Sequence, residues 1–307
     1  MLISEIDYKE YSFCLEKCSY STYYHTVEWF HMWKAIRKAT FKIFKIELDG
    51  NSIFVPLLVE KKFKILKTAH SSPCGTYGGI ISYVAIHDNL VLKIYKALAR
   101  KFHQLIITGN PYNKYNIGRH FTQVINMDLD TKIIEQSFSK GIHKRLRKTT
   151  NSSLKLVKLS KTQVDIIYSL YCKRLKEWDT PTNRYKKIVF NQLAQLQNSD
   201  LWGVEFENEI IVAGCVLKHK DKIFHWFGVS NVDFKNLNAF TFYYYELIKF
   251  YQDHSFKFYD FNPSGGHQSV VNFKASFGSK KLYYQNASFE SRTFKLLKFA
   301  ARLKAKL

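Results

Sequence analysis

Two apolar, β-rich runs, Phe41–Leu48 and Ile53–Glu60, flank Asp49-Gly50, a pattern that predicts a hairpin. The period then changes. Across Asn89–Phe102, Val91, Ile94, Tyr95, Leu98 and Phe102 recur at helical spacing, and a short strand, Leu105–Thr108, follows and stops at Asn110-Pro111. The second half runs through the same order. Leu201–Glu205 and Ile210–Lys218 flank a turn at Glu207-Asn208, and Lys222–Val229 predicts a third strand. Asn238–Asp253 predicts a helix with Phe240, Tyr243, Tyr244, Leu247 and Tyr251 on one side; Phe256–Phe261 predicts a strand that again ends in Asn-Pro, at Asn262-Pro263. The hairpin turns are 158 residues apart and the Asn-Pro pairs 152. A near-constant offset over four elements predicts two copies of one α+β unit.

Between the copies lies the most basic stretch, Lys140–Lys148 (KGIHKRLRK), followed by the polar run Thr149–Ser153. A strand, Leu154–Leu159, and a long helix from about Ser160 to Trp178 come next, with Ser160 as N-cap and a break at Thr180-Pro181-Thr182-Asn183. Phe289–Leu307 predicts a helix with Arg292, Lys295, Lys298, Arg302, Lys304 and Lys306 among Leu, Phe and Ala. Packing on its own domain and lying on a membrane surface both fit that pattern. The expected organisation is a first domain over 1–139, a basic connecting segment over 140–153, a second domain with the active site over 154–288, and a basic C-terminal helix over 289–307.

The composition, 46% hydrophobic and 23% charged over 307 residues, excludes a disordered chain. Forty-seven Lys+Arg against 25 Asp+Glu give +22, a field that attracts nucleic acid, phosphorylated substrates or an acidic membrane face. Nine arginines leave that charge mainly to lysine, so a solvated lysine surface also accounts for it. Five cysteines, an odd number in a long chain, argue against a disulfide framework and for a reducing compartment. Cys14 and Cys18 with His25 or His31 lack a metal-type spacing, so no metal is expected. The N-terminus has no apolar signal core, and the longest apolar run, Ile210–Leu217, is far short of a span of about 20 residues. The expectation is a cytoplasmic protein, with peripheral contact to an acidic inner-membrane face left open.

The segment richest in chemistry is Phe258–Gly278, FYDFNPSGGHQSVVNFKASFG. Asp260 ends a strand, a Pro-Ser-Gly-Gly turn follows, and a short helix is stopped by Gly278. Polar groups thus gather at the carboxyl end of a strand, a common place for ligands. Lys274 is placed to meet a developing oxyanion, or only to complement a helix C-terminus. Asp260 is placed as base or orienter of an amine, or as a cap on the turn. His225, among aromatics, is a general base or a satisfied core residue.

Tyr259-Asp260-Phe261, Gly265-Gly266, Asn272-Phe273-Lys274 and Phe277-Gly278 resemble the C-terminal signature of Fem-type and related acyltransferases of the GNAT superfamily. His70-Ser71-Ser72-Pro73 with Tyr77-Gly78-Gly79 resembles their first-domain loop, Lys144-Arg145-Leu146-Arg147-Lys148 their basic helix, and Thr26–Trp33 (TVEWFHMW) their tryptophan-bearing N-terminal helix. The resemblance implies an α+β fold of two tandem GNAT-like domains, with mixed central sheets flanked by helices, and transfer of an acyl group to an amine. Asp260, Lys274 and His225 are the candidate catalytic residues beside it. The donor, acyl-CoA or an aminoacyl-tRNA, would lie at Gly228, Lys235, Asn236 and Asn238; no covalently bound cofactor is implied. An anionic acceptor, such as a nucleotide-sugar, glycan or lipid-linked cell-envelope precursor, would be held by Lys144, Arg145, Arg147, Lys148, Tyr77, Gly78, Gly79, Asn262, Gly265 and Gly266.

Three departures matter. Lys235-Asn236-Leu237-Asn238-Ala239 stands where many GNAT enzymes carry an Arg/Gln-x-x-Gly-x-Gly/Ala loop, which puts coenzyme A binding of the usual kind in doubt. Phe273 replaces a common tyrosine acid. The long coiled-coil insertion of some cross-bridge enzymes is also missing, which removes one argument for a tRNA donor. An acyl-CoA N-acyltransferase, an aminoacyl-tRNA-dependent transferase of the peptidoglycan cross-bridge type and a non-catalytic polyanion binder all stay open.

Overall fold

The computed structural model describes all residues except 49, 75, 115–117, 151, 178–184 and 305–307. Asp49 of the expected hairpin turn and the break at Thr180–Asn183 therefore lie outside the described residues. In chain order the elements begin with β1 (Leu2–Ile6), α1 (Tyr8–Lys17), α2 (Val27–Arg37), β2 (Thr40–Leu48), β3 (Asn51–Lys62), β4 (Leu66–His70), β5 (Ile81–Ser82), α3 (Asp88–Ala99) and β6 (Gln104–Thr108). They continue with β7 (His120–Asn126), α4 (Thr131–Gln136), α5 (Lys140–Thr149), β8 (Lys155–Leu159), α6 (Val164–Glu177), α7 (Lys187–Gln195), β9 (Ser199–Phe206), β10 (Glu209–His219) and β11 (Lys222–Ser230). The last are α8 (Ala239–Asp253), β12 (Phe258–Asp260), α9 (Gln268–Ala275), β13 (Lys280–Tyr284), β14 (Asn286–Glu290) and α10 (Arg292–Lys304).

The chain divides into two compact units, Met1–Phe121 with Leu282–Leu307, and Thr122–Lys281. The first has the strand order β1-β2-β3-β4-β6-β14, with β5 on β3. Its pairs are antiparallel from β1 to β4, parallel between β4 and β6, and antiparallel between β6 and β14. The second unit, in the order β8-β9-β10-β11-β12-β7-β13, repeats that sense: antiparallel from β8 to β11, parallel between β11 and β12, antiparallel between β12 and β7. A helix crosses over between the parallel partners in each, α3 in the first and α8 in the second. The duplication predicted by the constant offset is thus a duplication of topology.

Local chemistry explains the elements that were anticipated. Glu207 and Asn208 both have left-handed φ, 48° and 65°, the conformation a two-residue hairpin with the right twist requires. Ser160 caps the helical turn ahead of α6, its N–H donating to the Gln163 side chain at 2.8 Å. Thr26 caps α2 by accepting the Trp29 N–H at 3.2 Å. The core of the second unit is aromatic, with Tyr243, Tyr251, Tyr259 and Phe277 packed among Val204, Val212 and Leu247. Each such ring removed from water contributes about 1.5–3 kcal/mol.

Several expectations are corrected. The units divide at 121/122 and 281/282, not at 139/140 and 288/289. Residues 140–149 are no connector: they form α5, whose Ile142 is fully buried and whose Leu146 packs on the second unit's core. Phe289 is in strand β14, so the C-terminal helix starts only at Arg292. The predicted strand Phe256–Phe261 shrinks to Phe258–Asp260, because Asn262 takes a left-handed φ of 61° and turns the chain. α3 ends at Ala99, and Phe102 packs edge-on against Phe44 from beyond it, ring centroids 5.8 Å apart.

Candidate active site

The parallel strands β11 and β12 pair over only three positions, Lys222↔Phe258, Ile223↔Tyr259 and Phe224↔Asp260. β12 then stops while β11 runs on to Ser230, so the sheet forks immediately before His225. A fork exposes backbone groups that must find other partners. Asn262 supplies them: its side-chain Nδ2 donates to the His225 carbonyl at 2.8 Å.

Asn262 is also where the other expected residues meet. Its backbone N–H donates to Asp260 Oδ1 at 2.7 Å, and its carbonyl accepts a hydrogen bond from Lys274 Nζ at 2.6 Å. Thr122 Oγ1 donates to the same Asp260 oxygen at 2.6 Å. Asparagine tolerates the left-handed backbone this geometry needs better than other side-chain-bearing residues. Asp260 is 0% and Lys274 5% exposed. Burial pulls the Lys274 pKa down to about 8, against the Asp260 charge, which raises it. The ammonium therefore persists at neutral pH and is lost just above it.

His225 does not have the near-neutral pKa expected of a general base. Burial, and then the Lys274 charge, push it down to about 3, so the ring is neutral. It sits between two tyrosine hydroxyls, Tyr244 Oη 3.1 Å from Nδ1 and Tyr243 Oη 3.4 Å from Nε2. Burial raises both tyrosine pKa values, so both hydroxyls keep their protons. A bulge in the β10–β11 ladder, where Cys215 faces Phe227 but Val216 faces His225, falls at Trp226 beside it. Gly228, expected at the donor, lies in β11 against the His225 ring, where a Cβ would come within 2.7 Å of Cε1. Its small size makes room for the imidazole.

The remaining expected residues are not among the hydrogen-bond partners just described. Lys235 and Asn236 are exposed; Asn238 is the left-handed N-cap of α8, and its carbonyl accepts the N–H groups of Thr241 and Phe242 at 2.9 and 3.1 Å. Gly265 and Gly266, with φ of 60° and 85°, form an exposed turn leading into α9. Lys144, Arg145, Arg147 and Lys148 are exposed on α5. Of these only Arg147 lines a cleft with Phe138, His143, Phe242 and Tyr245, and none of Asp260, Asn262, His225 or Lys274 lines that cleft. Tyr77, Gly78 and Gly79 belong to the other unit and are buried there. A Cβ on Gly78 would strike Ser71 and one on Gly79 the Tyr95 hydroxyl, while the Tyr77 ring packs against Tyr24 and Tyr284. All three are packed into the core of that unit.

Phe273, half-buried, packs against Phe240, Tyr244 and Phe277. Four residues of the site escaped sequence reasoning: Thr122, Tyr243 and Tyr244 as partners, and Tyr259, whose buried hydroxyl finds no hydrogen-bond partner among the described residues. An unpaired buried hydroxyl in a native core calls for an explanation such as a bound group or water.

No protein-family model matches the chain, and no curated protein sequence matches it. Solved structures do. FemX aligns over 97% of this chain and 99% of its own, with a TM-score of 0.72 and 12% identity. A tandem GNAT protein from the clavulanic acid biosynthesis pathway aligns over 94% and 98%, at 0.54 and 9%. L-PGS from Bacillus licheniformis aligns over 94% and 93%, at 0.52 and 11%. The chain has the tandem GNAT-like fold of Fem-type proteins. At these identities the likeness speaks for the fold alone, and a fold hosts many activities.

Proposed function

We propose that the second unit is an N-acyltransferase acting at the fork between β11 and β12. The observation that carries this reading is the convergence of a buried carboxylate and a buried ammonium on the backbone of one residue, Asn262. Burying ionised groups costs several kcal/mol, and such groups cluster where chemistry needs them. In the reaction an acceptor amine attacks the carbonyl of an activated acyl donor. A C–N bond forms, the C–S or C–O bond to the donor breaks, and the proton lost by the amine ends on the leaving thiol or hydroxyl. Protonated Lys274 stabilises the tetrahedral oxyanion in a dry site, where a fixed charge counts most. Asp260 is a positioning residue: it keeps Lys274 charged and holds the Asn262 turn. His225, neutral, supplies the carbonyl that fixes the Asn262 side chain.

The donor in this reading is acyl-CoA, met at the N-cap of α8 beside exposed Lys235; the acceptor is anionic, held by the cations of α5. A second donor, an aminoacyl-tRNA ester, is favoured by one observation: no glycine stands in Lys235–Ala239 to let a pyrophosphate approach the backbone closely. Melting the protein with coenzyme A, acyl-CoA or aminoacyl-tRNA separates these readings, because a ligand that binds only the native state raises Tm. A rise with one donor class, together with acylated product, supports the enzyme. No rise with any donor and no product leaves a polyanion-binding protein on an acyltransferase fold.

A further inference from the structure

Within the first unit, two elements distant in sequence, in contact through Phe63 and Phe294, each expose large apolar side chains. The β3–β4 hairpin ends in Lys61-Lys62-Phe63-Lys64-Ile65, all exposed, with Phe63 and Lys64 in the left-handed conformation of a tight turn and Ile65 70% exposed. α10 is anchored by Phe294, which is fully buried. Its Leu296, Phe299 and Leu303 are 70%, 63% and 51% exposed. At about 100° per residue those three fall on the face opposite the anchor. The two elements touch: the Phe63 and Phe294 rings are 6.4 Å apart, and Lys62 Nζ lies 5.6 Å from the Phe294 ring.

An ordinary surface helix turns its apolar stripe inward and its polar face out. α10 carries apolar side chains on both faces, and no acidic residue occurs in Lys61–Ile65 or Arg292–Lys304. Exposed Lys61, Lys62, Lys64 and Lys295 border the apolar side chains. We infer that this surface docks the protein on an anionic lipid bilayer, with the outer face of α10 and the hairpin tip entering the acyl boundary and the lysines meeting the headgroups. Charge decides the occupant. A second copy across a two-fold axis would bring the lysines against their own kind, whereas an anionic bilayer offers apolar depth and opposite charge together. The inference does not rest on the proposed acyl transfer.

The test is cosedimentation of the full chain with phosphatidylcholine vesicles, with and without phosphatidylglycerol. Binding is expected to the anionic vesicles, falling as salt rises. Leu296→Ser, Phe299→Ser and Leu303→Ser combined are expected to lower partitioning by at least about tenfold, since three large apolar groups no longer leave water. Lys61→Gln with Lys64→Gln is expected to weaken binding severalfold at low salt and little at high salt. All five positions are exposed, so melting should change little. Should the triple variant melt early, Ile65→Ser alone, at the hairpin tip, decides. The inference is overturned if the unmodified chain ignores anionic vesicles, if the serine variants bind as well as it does, or if sedimentation velocity shows a dimer that the triple variant dissolves. Because the readout is partitioning, its failure leaves the acyl-transfer reading untouched.

Discussion

In the first unit the parallel strands β4 and β6 are closed at their ends by a neutral side chain. Ser71 N–H donates to the Ile106 carbonyl at 3.0 Å, and Ser71 Oγ accepts the Thr108 N–H at 2.8 Å. In the second unit the corresponding strands part, and Asn262, flanked by Asp260 and Lys274, spans the opening. The contrast extends to the whole interior. Among the described residues every buried Asp or Lys, namely Asp200, Lys222, Asp260 and Lys274, lies in the second unit. Asp200 is accounted for by Lys158, Lys218 and Tyr251, and Lys222 pairs with neighbouring Asp221. What remains is the pair at the fork. One topology, built twice, is a scaffold in one copy and carries an ionised interior in the other, so the fold does not require the charges.

The sharpest way to break this comparison is to remove the ammonium. Lys274→Ala is expected to lower the acyl-transfer rate by about ten to a thousandfold, the range for losing one electrostatic stabiliser, while the protein still folds. Ser71→Ala in the first unit should cost about 1–3 kcal/mol of stability, from the Thr108 N–H that loses its hydroxyl partner, with transfer unchanged. Rates and melting curves of the two variants decide. If Lys274→Ala transfers at full rate, the pair is structural. The same charge sets a pH limit: activity should fall as pH rises through about 8, where the ammonium is lost. Lys274→Arg, which stays charged, should be slower but lack that limb. Stability should move the other way. The folded pKa lies below that of an unfolded lysine, so the unfolded chain holds the extra proton, and this group makes the fold more stable as pH rises from about 8 towards the unfolded value.

The two Asn-Pro positions give a matched pair. Asn110 Nδ2 donates to the Tyr20 carbonyl at 2.7 Å, as Asn262 Nδ2 does to that of His225. Each replacement by Ala strands a buried carbonyl, and at Asn262 the left-handed backbone adds strain; about 2–4 kcal/mol is expected there and 1–3 at Asn110. Only Asn262→Ala should also slow transfer, because the turn whose backbone carbonyl holds Lys274 loses the side-chain bond that fixes it to His225. Denaturant titration and initial rates test both, and an equal loss of activity from Asn110→Ala would abolish the distinction.

Much of this was legible in the chain, for a definite reason. The repeat shows in sequence because hairpin turns and Asn-Pro stops are local signals, and both copies kept them. β7 and β14 were not legible, since each completes a sheet whose other strands are far away in sequence, as when Asn286 pairs with Thr108. At the site, Asp260, Asn262 and Lys274 stood within one motif, but the Thr122 that holds Asp260 is 138 residues away. The burial that strips His225 of its basicity depends on Tyr243 and Tyr244, which periodicity showed only as a helix face.

Both units bury a histidine, and acid should expose each. The folded pKa of His225 is about 3 and that of His25 about 4, both lowered first by burial. The unfolded chain therefore takes up protons that the folded one refuses, and stability is lost as pH falls below about 6.5. Between pH 6.5 and 5 each contributes a loss of about 2 kcal/mol. His225→Asn and His25→Asn should each flatten the pH dependence of the unfolding free energy over that window by a similar share. Only the first should alter transfer.

The smallest effect concerns α5, where the charge is exposed rather than buried. Arg145 and Arg147 face solvent, so Arg145→Ala with Arg147→Ala should leave the melting temperature within a degree or two. If the helix holds an anionic acceptor, the acceptor KM should rise a fewfold at low salt while kcat holds, since these groups would bind ground and transition states alike. The rise should fade as salt approaches about 1 M, where the screening length drops to about 3 Å. A salt-independent change in KM would mean a contact other than charge, and an unchanged KM at low salt would return α5 to the status of a solvated surface. Set beside Lys274, that outcome would sharpen the contrast within the second unit itself: cations it spends in water, and one it keeps from water.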